Sequence, residues 1–151
     1  MPHGCPSLHA MVLGAVLIAL PAVAQPRDGT EAVAEVLDAL HQAASDADYD
    51  RYFSLYAREA VFLGTDATER WERPAFMAYA KARFDTGTGW TYRILERHIA
   101  VVTDGQTAWF DERLENADLG ETRRSGVLVI EDGGWKIAHY NLTIPIPNEL
   151  S

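Results

Sequence analysis

The chain has a single cysteine, no dense basic segment and no charged side chain near its amino terminus. Cys5 precedes an apolar run, so a disulfide within a mature chain that begins after this run is excluded. No cluster of Lys and Arg is longer than Arg123-Arg124, and the formal net charge is -9. Because nucleic-acid phosphates require a basic surface, no nucleic-acid partner is predicted.

The uncharged amino terminus has the pattern of a secretory signal peptide. Residues 1–24 contain no Asp, Glu, Lys or Arg, and Ala22-x-Ala24 fits the small-residue rule for cleavage before Gln25. The apolar run, residues 8–20, has about 13 residues, whereas a membrane span needs roughly 17–25. We predict cleavage between Ala24 and Gln25, a periplasmic or secreted protein, and no stable membrane insertion after cleavage. An uncleaved anchor is the alternative, because no Lys or Arg precedes the run.

The first half of the remaining chain predicts three helices. Apolar side chains recur at helical spacing in three segments, which cover residues 31–44, 49–56 and 74–84. Asp28 is a suitable amino-terminal cap for the first helix, and Asp46 or Asp48 for the second. Pro74 suits the first position of the third helix. A brief strand over residues 60–63 is predicted between the second and third helices.

The second half predicts an antiparallel sheet. Segments rich in aromatic and β-branched residues cover residues 90–102, 107–116, 121–131 and 134–144. Turn signals such as Asp104-Gly105 separate them. We therefore predict one α+β domain over residues 25–151, a cone-like fold in which three amino-terminal helices pack on a curved, mainly antiparallel sheet.

The last predicted strand carries the most informative polar pair. Trp135, Ile137, His139 and Asn141 are spaced two residues apart, so an uninterrupted strand places them on one face. A face that is apolar at one end and polar at the other suggests a pocket wall. His139 is then a candidate general acid/base or ligand hydrogen-bond donor. The alternative is a histidine satisfied by a backbone carbonyl inside the sheet.

The strand over residues 107–116 allows two registers. If Trp109, Asp111 and Arg113 face inward, a carboxylate–guanidinium pair can position a water or bind an anion. If Phe110 is buried, Glu112 lies in the pocket and the other pair is on the surface, where it contributes little. The sequence favours the second register.

Further candidates have two interpretations each. His98 either faces His139 across the cone or, with a bulge near Glu96, contacts solvent. Asp66 lies in a loop at the expected pocket mouth, where it contacts ligand or provides turn and cap chemistry. Tyr56 and Trp71 are aromatic candidates: each either lines the cavity or belongs to the hydrophobic core.

Neither a metal nor another cofactor is predicted. The three histidines beyond the signal segment, His41, His98 and His139, have no His-x-His or His-x-x-x-His spacing, and no thiolate accompanies them. No glycine-rich loop that could hold a phosphate occurs.

Several segments resemble the nuclear-transport-factor-2-like superfamily, and within it the SnoaL-like domains of bacteria. They are residues 62–71, the helix opening Trp71-x-x-Pro74, and Gly134-Trp135-Lys136-Ile137. The resemblance covers residues 31–144 and implies the cone-like fold. The superfamily includes isomerases, dehydratases, cyclases, an epoxide hydrolase, binding proteins and dimerisation modules, so the fold does not select a function.

Three functions follow as expectations. The first is an exported, homodimeric protein that binds a small apolar or weakly polar molecule in a cone-shaped pocket. The second is a cofactor-independent isomerase, dehydratase or hydrolase that uses His139 and an interior carboxylate such as Asp111. The Asp111–Arg113 pair is similar to part of the Asp-Arg-Asp arrangement of the superfamily's epoxide hydrolase; the sequence does not place a second Asp beside it, although Asp66 can approach from its loop. The third is a dimerisation module on the outer sheet face, with Tyr140 and Leu142 as its apolar content.

Overall fold

The computed structural model of the chain describes Met1 and residues 28–150. The predicted signal segment and its cleavage position after Ala24 lie outside the described residues. Within the described part, no helix has both the length and the apolar composition needed to cross a membrane.

Three helices form where the sequence predicts them. They are α1 (Gly29–Ser45), α2 (Tyr49–Ser54) and α3 (Arg73–Phe84). The Asp28 carboxylate accepts a hydrogen bond from the Thr30 backbone N–H at 3.2 Å, and Asp48 caps α2 in the same way. α2 is shorter than predicted because Tyr56 already belongs to the first strand.

The helices pack on one six-stranded sheet. Its strands are β1 (Tyr56–Leu63), β2 (Arg70–Glu72), β3 (Arg93–Val101), β4 (Thr107–Asn116), β5 (Gly120–Glu131) and β6 (Gly134–Thr143). The strand order is β2-β1-β6-β5-β4-β3, and every neighbouring pair is antiparallel except β1 with β6. The predicted α+β architecture is confirmed. The sequence did not predict β2 or the parallel pairing. A 3₁₀ turn, Asn148–Leu150, follows the sheet.

The turn between β5 and β6 explains why these two strands form a tight hairpin. Asp132 and Gly133 have φ values of 53° and 78°. Two consecutive residues with positive φ form the turn whose twist matches that of the flanking strands, and Asp-Gly tolerates this conformation.

The sheet has an inner face, which the helices cover, and an outer face. The inner face carries Phe110, Glu112 and Leu114 of β4, Arg124 and Leu128 of β5, and Ile137 and Tyr140 of β6, all of them buried. Buried side chains of the helices, among them Leu37, Leu40 and Phe76, belong to the same hydrophobic core. The favoured register of β4 is therefore the observed one.

Two β-bulges exchange the faces of parts of β3 and β6. In β6, Ile137 pairs with Leu128 but His139 pairs with Val127, so one extra residue, Ala138, is inserted between them. In β3, Leu95 is inserted in the same way, since Ile94 pairs with Leu114 and Glu96 with Arg113. A bulge shifts the alternation of side chains by one position. Glu96 and His98 beyond the first bulge, and His139 and Asn141 beyond the second, consequently lie on the outer face.

Candidate functional site

A cavity of about 190 Å³ opens between the inner face of the sheet and the helices. Most of its wall is aromatic. The lining residues are Ala44, Tyr52, Phe62, Gly64, Thr65, Glu69, Trp71, Phe76, Tyr79, Trp90, Tyr92, Leu119, Arg124, Tyr140 and Leu142.

Four rings of the wall lie nearly parallel. Phe62 is stacked against Phe76 with ring centroids 4.0 Å apart and an interplanar angle of 12°. Trp71 and Tyr140 are stacked on the same Phe62 ring, each at 14° to it. The parallel pairing of β1 with β6 places Phe62 directly beside Tyr140. These rings pack against one another and make this part of the wall apolar, and Phe62 and Trp71 are its half-buried members.

Tyrosine hydroxyls supply much of the polarity of the wall. The Tyr52 and Tyr56 hydroxyl oxygens are 2.9 Å apart and share a hydrogen bond, whereas the buried Tyr140 hydroxyl has no partner among the described residues. Burial raises the pKa of Tyr52 to about 12 and holds the pKa values of Tyr56 and Tyr140 well above their usual range. All three phenols are therefore neutral at physiological pH and able to donate a hydrogen bond.

Arg124 is the one cationic side chain of the wall within the described part of the chain. Its side chain is buried, and its guanidinium carbon lies 3.6 Å from the centre of the Tyr92 ring. Burial alone would lower its pKa, but the oxygens of Tyr140, Tyr92 and Tyr52 outweigh that effect, and the pKa lies above its usual value. The guanidinium therefore stays charged inside a largely apolar wall.

One buried donor of Arg124 has no acceptor in the described chain. A guanidinium has five N–H groups. Among residues 28–150, Arg124 Nη1 donates to His41 Nδ1 at 3.4 Å and the guanidinium also contacts the Tyr92 side chain, but its buried Nε has no partner. No carboxylate of the described chain forms an ion pair with it. An unsatisfied buried donor costs about 1–3 kcal/mol, and more when it is charged.

Behind Arg124 lies an ion cluster, which we define as Asp38, His41, Arg97 and Glu112; Glu112 is fully enclosed, whereas Asp38 is exposed at its edge. One Glu112 oxygen accepts from Arg97 Nε at 2.5 Å and the other lies 2.9 Å from His41 Nε2. Arg97 Nη1 also donates to Asp38 at 2.7 Å. Because Arg124 can only donate to His41 Nδ1, the proton of the neutral imidazole lies on Nε2 and points at Glu112.

The cluster keeps Glu112 ionised although its side chain is fully enclosed. Burial acts to raise the pKa of Glu112, but the hydrogen bonds from His41 and Arg97 and the charge of Arg97 act against it, and the pKa lies below its usual value. Both oxygens of Glu112 are thus occupied by its neighbours. This carboxylate orients His41 and, through it, Arg124.

The structure moves His139 and Asn141 away from the predicted pocket wall. The expectation that they share the face of Trp135 and Ile137 is wrong, because the bulge at Ala138 turns both to the outer face. Tyr140 and Leu142 take their place in the cavity wall. The sequence predicted Tyr140 and Leu142 as the apolar residues of a dimerisation surface on the outer face. Both face inward instead.

The other polar candidates on the sheet divide between its faces. His98, Asp111 and Arg113 are exposed on the outer face, where His98 Nε2 lies 2.9 Å from a Glu96 oxygen. His98 therefore contacts solvent through the bulge that the sequence allowed, and it does not face the cavity. Glu112 is buried on the inner face, one side chain behind the cavity wall.

The remaining candidates lie near the cavity in different roles. Trp71 is part of the wall, and Tyr56 is reached through its hydrogen bond with Tyr52. Asp66 is exposed and accepts hydrogen bonds from the Thr68 hydroxyl and backbone N–H, which lower the pKa of its carboxyl. Its loop contributes Thr65 and Glu69 to the cavity mouth instead.

Sequence reasoning missed Arg124, Tyr140 and His41. Arg124 lies two residues before Gly126 and four before Leu128 on β5. Because side chains of a strand alternate between its two faces, this spacing could have predicted that Arg124 points inward. His41 lies four residues after the buried Leu37 on the apolar stripe of α1. Among the residues described, no group of three or more His, Cys, Asp or Glu side chains could hold a metal ion.

Comparison with known proteins agrees with this geometry. The model of the SnoaL-like domain matches residues 33–147. The chain belongs to the SnoaL-like domain family. The resemblance inferred from the closing strand and the residue 62–71 segment is thereby confirmed. No curated protein matches this SnoaL-like chain in sequence.

Solved structures share the fold of this SnoaL-like protein at low sequence identity. A nuclear-transport-factor-2-like protein of unknown function from Pseudomonas putida KT2440 has a TM-score of 0.67 and 16% identity, over 80% of this chain and 89% of that chain. A DUF3225-family protein from Pectobacterium atrosepticum has a TM-score of 0.68 and 16% identity, over 84% and 98%. A protein from Streptomyces avermitilis, named as a proposed dehydratase, has a TM-score of 0.65 and 15% identity, over 78% and 96%.

Proposed function

We propose that this SnoaL-like protein binds a small planar molecule, apolar or weakly polar, in the cavity. The observation that carries the proposal is the set of nearly parallel rings of Phe62, Trp71, Phe76 and Tyr140 along one wall. A planar ligand would pack against the half-buried Phe62 and Trp71 of this wall, and the Tyr140 hydroxyl and Arg124 would fix its orientation. Apolar walls with a few placed polar groups are the usual composition of small-molecule sites.

The size of the cavity limits the ligand. At about 190 Å³ it is smaller than the roughly 300–1,000 Å³ typical of sites for drug-sized molecules. A ligand with a single ring and one or two substituents fits this limit better than a polycyclic one.

The geometry favours binding over catalysis. His41 and Glu112, the groups best suited to move a proton, are bonded to each other behind the wall. Tyr52 has a pKa of about 12 and is a weak acid and a poor source of phenolate at neutral pH. Among the described lining residues, Glu69 is the one carboxylate, and it lies at the mouth.

A blocked entrance tests this proposal. Thr65 is exposed and lines the mouth, whereas Ala67 is exposed on the same loop and is not a lining residue. We expect Thr65→Trp to weaken the binding of a neutral planar probe such as indole by about tenfold or more, and Ala67→Trp to leave it unchanged. Calorimetric titration of both variants measures the affinities. Equal affinities in the two variants would place binding outside the cavity.

A second candidate is a cofactor-independent dehydratase or isomerase. The hydrogen-bonded Tyr52–Tyr56 pair at the wall favours it, and so does the name of the Streptomyces avermitilis protein. The outer-face position of His139 and Asp111 speaks against their use as proton carriers. Proton abstraction would replace a C–H hydrogen of a bound molecule with deuterium in D₂O, which NMR detects. Tyr52→Phe would then lose exchange while retaining binding; exchange that persists in this variant counts against the tyrosine pair.

We also propose that the protein is a homodimer assembled through the outer face. Trp109 is 54% exposed there, between Ala100 of β3 and Val127 of β5. An exposed tryptophan among apolar neighbours on a sheet face is typical of an interaction surface. Trp109→Glu should convert a dimer into a folded monomer, as measured by light scattering. A wild-type protein that is monomeric at micromolar concentration contradicts the assembly.

Export is proposed from the sequence of the amino terminus. The uncharged apolar run and Ala22-x-Ala24 support removal of residues 1–24 and release of the domain from the membrane. Expression of the full chain in a bacterial host, followed by fractionation and intact-mass measurement, should yield a periplasmic or secreted protein that begins at Gln25. A full-length mass in the membrane fraction would indicate an uncleaved anchor.

A further inference from the structure

Arg124 is the strongest sign of what the cavity accepts. It is a buried cation in the wall, 6% exposed, with its Nε unpartnered. Buried charged donors in proteins are normally paired, because leaving them unpaired is costly. Among the described residues, His41 Nδ1 accepts from it at the long distance of 3.4 Å, and the Tyr92 side chain also contacts the guanidinium. The unpartnered Nε–H is left for an acceptor that enters the cavity.

The carboxylate that pairs with Arg124 across the sheet does not serve as that acceptor. Glu112 lies directly across from Arg124 in the β4–β5 pairing, on the same inner face. Its two oxygens are nevertheless occupied, one by Arg97 and the other by His41. The charge of Glu112 is therefore neutralised by Arg97, and Arg124 has no ion-pair partner within the described residues.

A second unsatisfied group lies beside Arg124. The Tyr140 hydroxyl is buried and without a partner in the described chain, and the Arg124 guanidinium carbon is 5.4 Å from the Tyr140 ring centre. Both residues line the cavity. A carboxylate has two oxygens and about four acceptor positions, so one carboxylate can accept from a guanidinium and a phenol together.

We propose that the ligand is a planar aromatic monoanion whose carboxylate is held by Arg124 and Tyr140. This inference rests on the proposed small-molecule function and names the charge and the anchor of that ligand. The ring of the ligand stacks on the Phe62 wall while its carboxylate neutralises the guanidinium. A doubly charged phosphate fits less well, because the site offers a single cation and the chain has a net charge of -9.

His41 and Glu112 act as positioning residues in this arrangement. The Glu112–His41–Arg124 chain of hydrogen bonds fixes one edge of the guanidinium and leaves the rest of the group for the ligand. The stacking of the guanidinium on Tyr92 holds its plane. Arg124 is thus preorganised before a ligand enters.

A pair of probes that differ in charge tests the proposal. Benzoate and benzamide have nearly the same shape, but only benzoate is an anion at pH 7. We expect the full-length protein to bind benzoate about tenfold or more tightly than benzamide, as a charge-assisted hydrogen bond would provide. The Arg124 Nε–H resonance in the ¹⁵N NMR spectrum should shift with benzoate, because that proton gains an acceptor.

Neighbouring arginines provide a matched control. Arg124→Gln should abolish the preference for benzoate, whereas Arg123→Gln, which removes the same charge from the exposed position next to it, should retain the preference. If Arg124→Gln fails to fold, Tyr140→Phe tests the same site, since its hydroxyl has no partner in the described chain and its loss should not unfold the protein. That variant should weaken benzoate more than benzamide.

The outcomes separate the two proposals. Equal affinity for benzoate and benzamide, or a benzoate preference that survives both Arg124→Gln and Tyr140→Phe, overturns the anion site. Binding of indole without binding of benzoate overturns it too and leaves the proposed function standing. Failure of indole, benzoate and benzamide alike overturns both.

Discussion

Glu112 and Asp111 are neighbours on β4, one turned to the inner face and the other to the outer face. The Glu112 side chain is enclosed with two cationic or polar partners, whereas Asp111 is exposed to water. The same contrast separates Arg124 from Arg123 on β5. Chemically similar side chains one residue apart therefore lie in different environments. On the inner face a charged group needs hydrogen-bond partners from the protein, whereas on the outer face water provides them.

Truncation of these two carboxylates should show the largest difference between the faces. Glu112→Ala leaves Arg97 and His41 without their buried acceptor, so we expect a loss of about 3–5 kcal/mol in the free energy of unfolding. Asp111→Ala, the matched change on the outer face, should alter it by about 0.5 kcal/mol or less. Urea denaturation measures both. A loss below about 1 kcal/mol for Glu112→Ala would mean that water reaches the cluster.

Two glycines of the sheet differ in how closely their surroundings are packed, and their substitution should give the next largest difference. A β-carbon at Gly126 would lie 2.2 Å from the His139 carbonyl oxygen and 2.8 Å from a Phe110 ring carbon, whereas at Gly134 nothing lies within 4 Å. We expect Gly126→Ala to destabilise the protein by about 1–3 kcal/mol through overpacking. Gly134→Ala should change the unfolding free energy by about 0.5 kcal/mol or less. Thermal denaturation of the pair tests this, and equal midpoints would contradict it.

The fold follows from the sequence to a large extent because its signals are local. The buried stripe of α1 and the alternation of Phe110, Glu112 and Leu114 on β4 each repeat over several residues, so chance matches are few. The parallel pairing of β1 with β6 has no such signal. It depends on contacts between segments that are far apart in the chain.

The site was harder to predict because two bulges move it. An inserted Ala138 or Leu95 changes which face every later residue occupies, and neither residue has a distinctive local sequence. His139 and Asn141 were misplaced for that reason. On β5, every second residue from Thr122 to Leu128 is buried on the inner face, and Arg124 is one of them. A charged residue at one of these alternating positions was the sequence pattern that could have revealed it.

Acid should weaken the inner face specifically. The pKa of Glu112 is lower in the folded protein than its usual value of 4.5. Its contribution to stability is therefore fully present above pH 4.5 and is lost as pH falls through the folded-state pKa. We expect the stability difference between wild type and Glu112→Gln to shrink as pH falls below 4.5. Urea denaturation over this pH series measures it, and a difference that stays constant would mean that Glu112 is protonated at neutral pH.

The smallest effect is expected on the outer face, where ion pairs lie in water. Arg113 Nε is 3.9 Å from a Glu96 oxygen and 3.6 Å from a Glu121 oxygen, and all three side chains are about half exposed. Exposed pairs of this kind contribute about 0–1 kcal/mol, and salt screens them. Arg113→Ala should therefore lower the unfolding free energy by less than about 1 kcal/mol, with the difference vanishing near molar salt. A larger, salt-independent loss would show that this part of the outer face is covered in solution, and the comparison would then be between two buried faces.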